Sequence, residues 1–382
     1  MRIALDARQL YRRGRRGIGK TLLELYRHLA ALHPDWEIAA YHRADADVDG
    51  ADLPPNVIAR QIELPGDRLD AWQRWRLPFA AWHSGADVLH CPANGCPDWM
   101  PLPTVVTIHD LIPLDFSDGQ TPEQVCRFEA WVRRACQSAA HVTCPSHHTR
   151  SQLIDRFGAN EDRTTTIHWA PSTPDPQVNL DAISLVLARY NVSRPFVMHF
   201  GAADPRKNTA RLLEAWATVC RGSDMDWDLL IVGVDDATAG KLARRANELG
   251  VSGNVRLFGF VPEADLTTLL GAADVLAYPS LSEGFGVPIF EAWTAETAVL
   301  TSRRPSLVEV AGSAAELIDP CDTDQIAAAL KHLLTDTDRR TQLIRAGRTR
   351  SKQFMWEAAA RRFAAVVEQA MDQWHRVARS AA

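Results

Sequence analysis

Short apolar runs alternate with longer stretches of helical periodicity along most of the chain. The runs predict strands at 2–7, 36–42, 57–62, 87–90, 104–110, 141–145, 195–201, 228–234, 254–260, 273–278, 298–302 and 315–318. Helical spacing is clear at 20–32 and 209–220, and again from 324 to the end. Because strands alternate with helices in both halves, the pattern predicts an α/β protein with parallel sheets.

The length of the chain predicts two domains. Its 382 residues exceed what one ordinary hydrophobic core holds together. Three prolines with serine and threonine between them fall within 167–178, which makes this stretch the best linker candidate. We therefore predict domains at 1–174 and 175–356.

Composition narrows the class of protein. With 46% hydrophobic and 23% charged residues and a net charge of −5, the chain is typical of a soluble globular protein and gives no reason to expect nucleic acid. No apolar run reaches a membrane span, and residues 1–6 are predicted as a strand rather than a signal peptide. Seven cysteines indicate a reducing cytoplasm, and Cys91 and Cys96 lack a second pair at zinc-ligand spacing.

The stretch from Tyr278 to Ala292 carries the strongest chemical signal. A strand runs into a serine- and glycine-rich loop, and a helix is predicted to begin near Pro288. This order aims backbone N–H groups and a helix dipole at one point, which suits a phosphate. Glu283 and Glu291 bracket that point, so a sugar with hydroxyl groups to be held is a natural ligand.

Two further strand–helix junctions carry candidate anion-binding residues. Residues 12–19 form a glycine- and arginine-rich loop that includes Gly17 and Gly19. A solvated basic turn and a ligand loop both remain open there, although ligands of open α/β sheets bind at such strand ends. Arg206 and Lys207 stand just before a helix, a placement that favours neutralising a diphosphate over an ordinary surface pair.

His109 and Asp110 end the predicted strand at 104–110. A lone histidine is usually a satisfied polar residue. At a strand end beside an aspartate, contact with substrate becomes an equal alternative.

The predicted helix at 70–82 mixes tryptophan with arginine, and Trp72 and Trp75 are its first two indoles. One interpretation is a helix packed on its sheet with the arginines outward. The other is an interfacial surface, because tryptophan and arginine favour lipid headgroups. The sequence leaves both open.

The motifs together resemble a known family. Glu283 and Glu291 are separated by seven residues within Glu-Gly-Phe-Gly-Val-Pro-Ile-Phe-Glu-Ala, which resembles the signature of retaining GT-B glycosyltransferases of family 4. The similarity continues in the family's order at 17–19 (Gly-Ile-Gly), 108–110 (Ile-His-Asp), 204–208 (Asp-Pro-Arg-Lys-Asn), 258–262 (Phe-Gly-Phe-Val-Pro), 306–309 (Ser-Leu-Val-Glu) and 355–357 (Met-Trp-Glu). Segment 204–208 resembles the basic donor loop of the mannosyltransferase-like branch.

This resemblance implies the GT-B fold, in which two Rossmann-like domains with parallel sheets face a cleft between them. The first domain, completed by a C-terminal helix at about 357–382, would hold the acceptor, and the second would hold a nucleotide-sugar donor. Transfer would retain the configuration at the anomeric carbon. No metal and no cofactor would be required.

The resemblance also implies roles for the motif residues. Glu291 would hold the ribose hydroxyls and Glu283 would lie by the sugar. Lys207 and Arg206 would neutralise the diphosphate, and His109 would contact the donor sugar near the reacting centre.

The remaining assignments concern the backbone and the acceptor side. Gly17 and Gly19 would let the backbone approach the phosphates, and Asp110 would lie on the acceptor side. Backbone N–H groups would be offered to the donor by Phe285, Gly286 and Val287.

The implied chemistry agrees with electrostatics. A departing nucleoside diphosphate gains negative charge, which fixed N–H donors and two cations can stabilise without Mg²⁺. No Asp-x-Asp motif sits where a metal would be wanted. Front-face attack, with the leaving phosphate oxygen taking the proton of the acceptor, is favoured over a covalent intermediate on Glu283.

Three positions depart from the family pattern. Ala202 stands where an arginine often follows the first strand of the donor domain, so Arg206 is expected to supply that charge from the next turn. Residues 296–298 replace the usual Gly-x-Pro. Lys20 stands for the usual arginine of the glycine loop.

The leading hypothesis is a cytoplasmic enzyme that moves a hexose from a GDP- or UDP-linked donor to a glycan or polyprenyl-linked saccharide. The form of segment 204–208 leans toward GDP-mannose. A lipid-linked acceptor would bring peripheral association with the inner membrane surface. The alternatives are another GT-B enzyme, such as a nucleotide-sugar epimerase or a phosphorylase, and a non-catalytic nucleotide-sugar binding module.

Overall fold

The computed structural model describes residues 1–12, 17–48, 50–63, 71–171, 180–192, 195–201, 204–221 and 226–381. The chain divides into two compact units. Unit 1 comprises Met1–Ser172 and Phe354–Ala382, and unit 2 comprises Thr173–Gln353. The sequence-based boundaries were 174/175 and 356/357.

Unit 1 is built on a seven-stranded parallel sheet. Its strands are β1 (Arg2–Asp6), β2 (Glu37–His42), β3 (Val57–Gln61), β4 (Val88–Cys91), β5 (Thr104–Thr107), β6 (His141–Cys144) and β7 (Thr164–Thr166). Their order across the sheet is β3-β2-β1-β4-β5-β6-β7. The sequence missed β7, because three consecutive threonines show no apolar alternation, and it extended β5 three residues too far.

The helices of unit 1 flank this sheet. They are α1 (Ile18–Leu32), α2 (Leu77–His83), α3 (Ile112–Asp115), α4 (Pro122–Ser138), α5 (His147–Phe157) and α14 (Trp356–Ala381). Helix α14 returns to pack on α1, where the Phe363 ring lies 6.1 Å from that of Tyr26. Within the described residues, no helix has both the length and the apolar character that crossing a bilayer demands.

The predicted tryptophan-rich helix consists of two parts. A π-helical turn, Trp72–Arg76, runs directly into α2. Trp72 is buried and donates its indole N–H to the Ile62 carbonyl at 3.2 Å, so the packed interpretation is correct for this residue. Trp75 and Trp82 are about half exposed, at 52% and 53%.

The predicted linker at 167–178 begins too early. Ile167, Trp169 and Ala170 are buried in unit 1 directly after β7. The Trp169 ring stacks on Trp356 of α14, whose indole N–H donates to the Pro171 carbonyl at 2.7 Å. The rest of the predicted linker, 172–178, lies outside the described residues.

Unit 2 contains a six-stranded parallel sheet. Its strands are β8 (Phe196–Phe200), β9 (Asp228–Val232), β10 (Val255–Phe258), β11 (Val275–Tyr278), β12 (Ala298–Ser302) and β13 (Glu316–Ile318). The order is β10-β9-β8-β11-β12-β13, so β8 and β11 are neighbours. The carboxyl ends of these two strands therefore open onto the same edge of the sheet.

Helices cover the sheet of unit 2. They are α6 (Leu180–Arg189), α7 (Thr209–Arg221), α8 (Asp236–Glu248), α9 (Glu263–Ala272), α10 (Val287–Thr294), α11 (Pro305–Ala311), α12 (Thr323–Thr335) and α13 (Thr337–Ser351). Aspartate N-caps fix where two of these helices begin. Asp235 caps α8 by accepting from the Thr238 N–H at 2.7 Å, and Asp322 caps α12 by accepting from the Gln325 N–H at 2.9 Å.

Helix α13 packs on α10 through a glycine. A Cβ atom built on Gly347 would lie 2.2 Å from Cδ1 of Trp293, a fully buried side chain. Gly347 thus lets α13 approach closely and fixes α10, which follows the candidate phosphate loop.

We expect Gly347→Ala to destabilise unit 2 by about 1–3 kcal/mol through overpacking against Trp293, despite the better helix propensity of alanine. Gly240 in α8 is the matched control, because a Cβ atom built there would meet no described neighbour within 4 Å. Gly240→Ala should be neutral or stabilise by up to about 1 kcal/mol. Urea-unfolding midpoints measure both; equal shifts would contradict this packing.

Candidate functional site

The loop between β11 and α10 is the candidate phosphate-binding loop of unit 2. Helix α10 starts at Val287, one residue before the proline that the sequence marked, with Gly286 as its N-cap. Gly286 has φ 119°, and a Cβ there would meet Leu307 Cδ2 at 2.8 Å, so only glycine fits. Within the first turn of α10, Pro288 carries no N–H and the Ile289 N–H donates to the Gly286 carbonyl at 3.0 Å. The N–H groups of Gly286 and Val287 are therefore the candidates for an anion site at this helix start.

Glu283 is held between two cations at this edge. Its carboxylate lies 2.6 Å from Arg206 Nη1 and 2.9 Å from Lys207 Nζ. The three side chains are 11%, 12% and 17% exposed, in the same order. Lys207 also donates to the Tyr278 hydroxyl at 3.3 Å and lies 4.9 Å from the centre of its ring. We call Arg206, Lys207, Glu283 and Tyr278 the ion cluster.

The cluster keeps Glu283 ionised. Burial alone would raise its pKa, but the charges of Lys207 and Arg206, with hydrogen bonds from Lys207 and Tyr278, lower it to about 2. Burial raises the pKa of the Tyr278 hydroxyl well above its usual value, and the Glu283 charge adds to the effect. Glu283 is therefore a hydrogen-bond acceptor and cannot donate a proton at neutral pH.

Backbone contacts fix the loop that carries both cations. Asp204 caps the short 3₁₀ turn Pro205–Lys207 by accepting from the Arg206 N–H at 2.9 Å, and it also binds the guanidinium. The Arg206 carbonyl accepts from the Leu281 N–H at 2.8 Å. The loop after β8 and the loop after β11 are thus joined through backbone and side chain together.

Asn208 and Ser306 restrain the two joined loops through side-chain hydrogen bonds to backbone carbonyl groups. Asn208 has φ 60° and donates to the Pro279 and Pro320 carbonyls at 3.0 and 2.7 Å. Ser306 of α11 donates to the Glu283 carbonyl at 2.5 Å.

Sequence reasoning gave no role to Tyr278, Asp204, Asn208 or the Ser306 hydroxyl. A tyrosine at a strand end and an aspartate before Pro-Arg-Lys were available signals for the first two. Asn208 offered a weaker one, since asparagine tolerates the left-handed region.

The other predicted donor residues lie on α10 and its loop. Glu291 is half-buried in the second turn of α10. The Phe285 side chain is buried and its ring lies 5.6 Å from that of Phe290. The predicted roles of Glu291 and of the N–H groups of Phe285, Gly286 and Val287 remain predictions.

His109 follows β5 in unit 1. Its Nε2 lies 2.6 Å from the Pro92 carbonyl, which can only accept, so Nε2 carries the proton. Its backbone N–H donates to Asn94 Oδ1 at 2.6 Å. Burial lowers the pKa of His109 to about 4, against the opposing effect of the Pro92 hydrogen bond. His109 is therefore neutral at pH 7, with Nδ1 as its acceptor atom.

His109 lines a largely apolar pocket with Ile18 and Trp169, among other residues of unit 1. Ile18 is the first residue of α1 and the middle residue of the Gly-Ile-Gly segment at 17–19, so this segment lies beside the same pocket. Asp110 is half-buried and accepts a hydrogen bond from the N–H of Ile112, the first residue of α3, at 3.1 Å. Its predicted acceptor-side role remains a prediction.

The glycine loop is shorter than predicted. Gly17 is the N-cap of α1 with φ 40°, and Gly19 is buried in the first turn of that helix rather than in a loop. The helix starts at Ile18 because Gly17 supplies the positive φ at which the chain turns into it. The predicted loop residues 13–16 and the departure at Ala202 lie outside the described residues.

Comparison with known proteins assigns the chain to a family. The family model "Glycosyltransferase Family 4" matches residues 15–170, and "Glycosyl transferases group 1" matches residues 189–350. The O-antigen chain mannosyltransferase B of Escherichia coli is 31% identical over 258 residues, which are 66% of this chain and 67% of that protein. The chain belongs to glycosyltransferase family 4.

Two further comparisons describe the relatives of this family 4 glycosyltransferase. The mannosyltransferase WbdA of Escherichia coli is 26% identical over 290 residues, 74% of this chain but 35% of that protein. The chain thus aligns with about a third of the length of WbdA. The crystal structure of HepE from Anabaena with UDP and glucose has a TM-score of 0.72 at 18% identity, over 96% of this chain and 99% of that one.

These findings confirm the predicted family and fold class. Each unit corresponds to one of the two family models, and each contains the parallel sheet of a Rossmann-like domain. The enzyme is a glycosyltransferase with the GT-B fold.

We expect Glu283→Gln to destabilise the enzyme by on the order of 3 kcal/mol at pH 7, since it removes the charge between Arg206 and Lys207. The pKa of Glu283 is lowered on folding, from 4.5 to about 2. Its stabilisation is therefore complete above pH 4.5 and is lost as the pH falls toward 2. Chemical unfolding from pH 7 down to 3 should show the gap between wild type and variant narrowing.

Glu129→Gln is the control for that experiment. Glu129 pairs with Arg133 at 2.7 Å on the surface of α4, where both side chains are about half exposed. Its loss should change stability by less than about 1 kcal/mol. A gap for Glu283→Gln that stays constant with pH would contradict the proposed charge state.

Proposed function

We propose that the enzyme transfers a mannosyl group from GDP-mannose to a glycan or polyprenyl-linked saccharide. Transfer occurs with retention at the anomeric carbon and without a metal ion. The observation that carries this proposal is the ion cluster beside the first N–H groups of α10. The named mannosyltransferase relatives support the sugar, and the Pro-Arg-Lys-Asn segment at 205–208 supports the GDP link.

The donor diphosphate binds to the two cations of the cluster. Lys207 has three N–H donors, and its contacts among the described residues, with Tyr278 and Glu283, use two. Arg206 has five, of which Asp204, Ser282 and Glu283 take four. Counted over the described part of the chain, one N–H of each cation remains for phosphate oxygens.

Fixed hydrogen-bond donors favour the departure of the nucleoside diphosphate. Arg206 and Lys207 carry two positive charges, Glu283 and the more exposed Asp204 carry one negative charge each, and the α10 N-terminus adds about half a positive charge. Because these groups are already bound in place, little reorganisation is needed as charge develops on the leaving oxygen. This supports a reaction without a metal.

Glu283 accepts hydrogen bonds from sugar hydroxyl groups. A carboxylate stabilised by two cations is a weak base and a weak nucleophile, which argues against a covalent glycosyl-enzyme intermediate. In the proposed reaction the bond from the anomeric carbon to phosphate breaks while the acceptor oxygen bonds to the same face. The acceptor proton passes to the leaving phosphate oxygen.

Unit 1 supplies the acceptor side of the reaction. Neutral His109 offers Nδ1 as an acceptor for a hydroxyl group of the donor sugar, and Asp110 lies on the acceptor side. Glu291 holds the ribose hydroxyls, and the backbone at Gly17 and Gly19 approaches the phosphates.

We place the enzyme in the cytoplasm, supported by seven cysteines, all among the described residues, that form no disulfide.

A UDP-hexose is the second donor candidate, favoured by the UDP and glucose named for HepE. An epimerase or phosphorylase, and a non-catalytic binding module, remain the alternatives of another class. All of these candidate functions use a nucleotide or sugar-phosphate binding site. Only the product of the reaction distinguishes them.

The test is a transfer assay with GDP-mannose and UDP-glucose on mannose-terminated acceptors, with and without EDTA. We expect an α-linked mannosyl product, identified by NMR, at a rate that EDTA leaves unchanged. Lys207→Ala should lower kcat by about 100-fold or more, because a fixed cation is lost from the developing charge. Lys241→Ala, at an exposed lysine of α8, is the control and should keep full activity.

Other products would overturn the proposal. Epimerised nucleotide sugar without transfer indicates an epimerase, and phosphate-dependent cleavage of the glycan indicates a phosphorylase. Donor binding without any turnover indicates a binding module. Full activity of Lys207→Ala would contradict the site assignment.

A further inference from the structure

Four aromatic side chains are exposed on and beside the helical segment 72–83 of unit 1. Trp75, Phe79, Trp82 and Trp99 are 52%, 43%, 53% and 37% exposed. The Phe79 and Trp82 ring centroids are 6.3 Å apart, and those of Trp82 and Trp99 are 6.1 Å apart. Trp75 and Phe79 are four residues apart and so share a helical face. We call these four residues the aromatic patch.

The fold does not need the aromatic patch for its core. The opposite face of the same segment already packs inward through Trp72, Leu77 and Ala81, which are at most 1% exposed. The outer face of a surface helix is ordinarily polar. Contiguous exposed aromatics instead mark a binding surface.

The charge around the patch is positive. Residues 71–84 include Arg74, Arg76 and His83 and no acidic residue, in a chain with a net charge of −5. Asp98, beside Trp99, forms ion pairs with Arg74, at 2.5 Å, and with Arg134 of α4. Its negative charge is therefore compensated. Arg76 is exposed at the patch. Aromatic rings with cations at their rim complement an anionic surface.

We propose that the aromatic patch docks the enzyme on an anionic lipid bilayer. The rings enter the headgroup region, where amphipathic aromatics are favoured, and Arg76 binds lipid phosphates. The proposal deepens the proposed function and rests on it in one respect: a polyprenyl-linked acceptor is presented at a membrane surface. A second copy of the chain fits less well, because a two-fold contact would set Arg76 against its own positive surface.

Vesicle flotation tests this surface without any nucleotide sugar. The enzyme should float with phosphatidylcholine vesicles that contain phosphatidylglycerol, less with phosphatidylcholine alone, and less as salt screens the charges. Trp75→Ala combined with Trp82→Ala should weaken partitioning by about tenfold or more, because most of the inserted apolar area is lost. Leu185→Ala, at a 69% exposed leucine of α6, is the matched control and should float like wild type.

Circular dichroism and transfer to a water-soluble acceptor check that the double variant is folded. Absence of wild-type flotation, or equal flotation of the double variant, would overturn the proposal. The proposal would also be overturned if light scattering shows that wild type is a dimer and the double variant a monomer, while neither protein floats. The patch would then bind a second copy of the chain. Because flotation needs no donor, loss of transfer activity and loss of docking are separate results.

Discussion

The ion pairs of Glu283 with Arg206 and Lys207 are the constraint on which the carboxyl edge of unit 2 depends. They join the loop after β8 to the loop after β11, two neighbouring strands whose residues are far apart in sequence. Asp204, Asn208 and Ser306 restrain the same loops through hydrogen bonds. Removing one partner of such a buried set leaves the others with uncompensated charge, which is far more costly than the loss of a surface pair.

This arrangement also prepares the edge for chemistry. The cations are held in place by Glu283 and Asp204, so binding of the proposed diphosphate would not have to order two long side chains. Gly286 brings the start of α10 to the same place, since its φ of 119° is strained for any residue with a side chain. Gly347 in turn lets α13 support α10 from the far side. Packing, backbone conformation and charge thus converge on one short stretch of chain.

Much of this was predictable from local sequence. The strand–glycine–helix pattern at 278–292 and the cations before α7 placed Glu283, Arg206 and Lys207 at strand ends of one sheet. Their direct pairing was not predictable, because partner choice across 76 residues depends on strand order and side-chain direction. The inclusion of Gly19 in α1 was missed because it depends on the backbone angles of Gly17. The exposed side of the tryptophan-rich segment depends on a π-helical turn that periodicity does not reveal.

Calorimetric titration of nucleoside mono- and diphosphates into wild type and Lys207→Met tests the central claim most directly. The account predicts that GDP binds more tightly than GMP, and that Lys207→Met removes most of this difference while GMP affinity changes little. EDTA should leave the difference intact. If GDP and GMP bind wild type equally, or if the variant weakens both alike, the ion cluster does not recognise the second phosphate and the account is wrong.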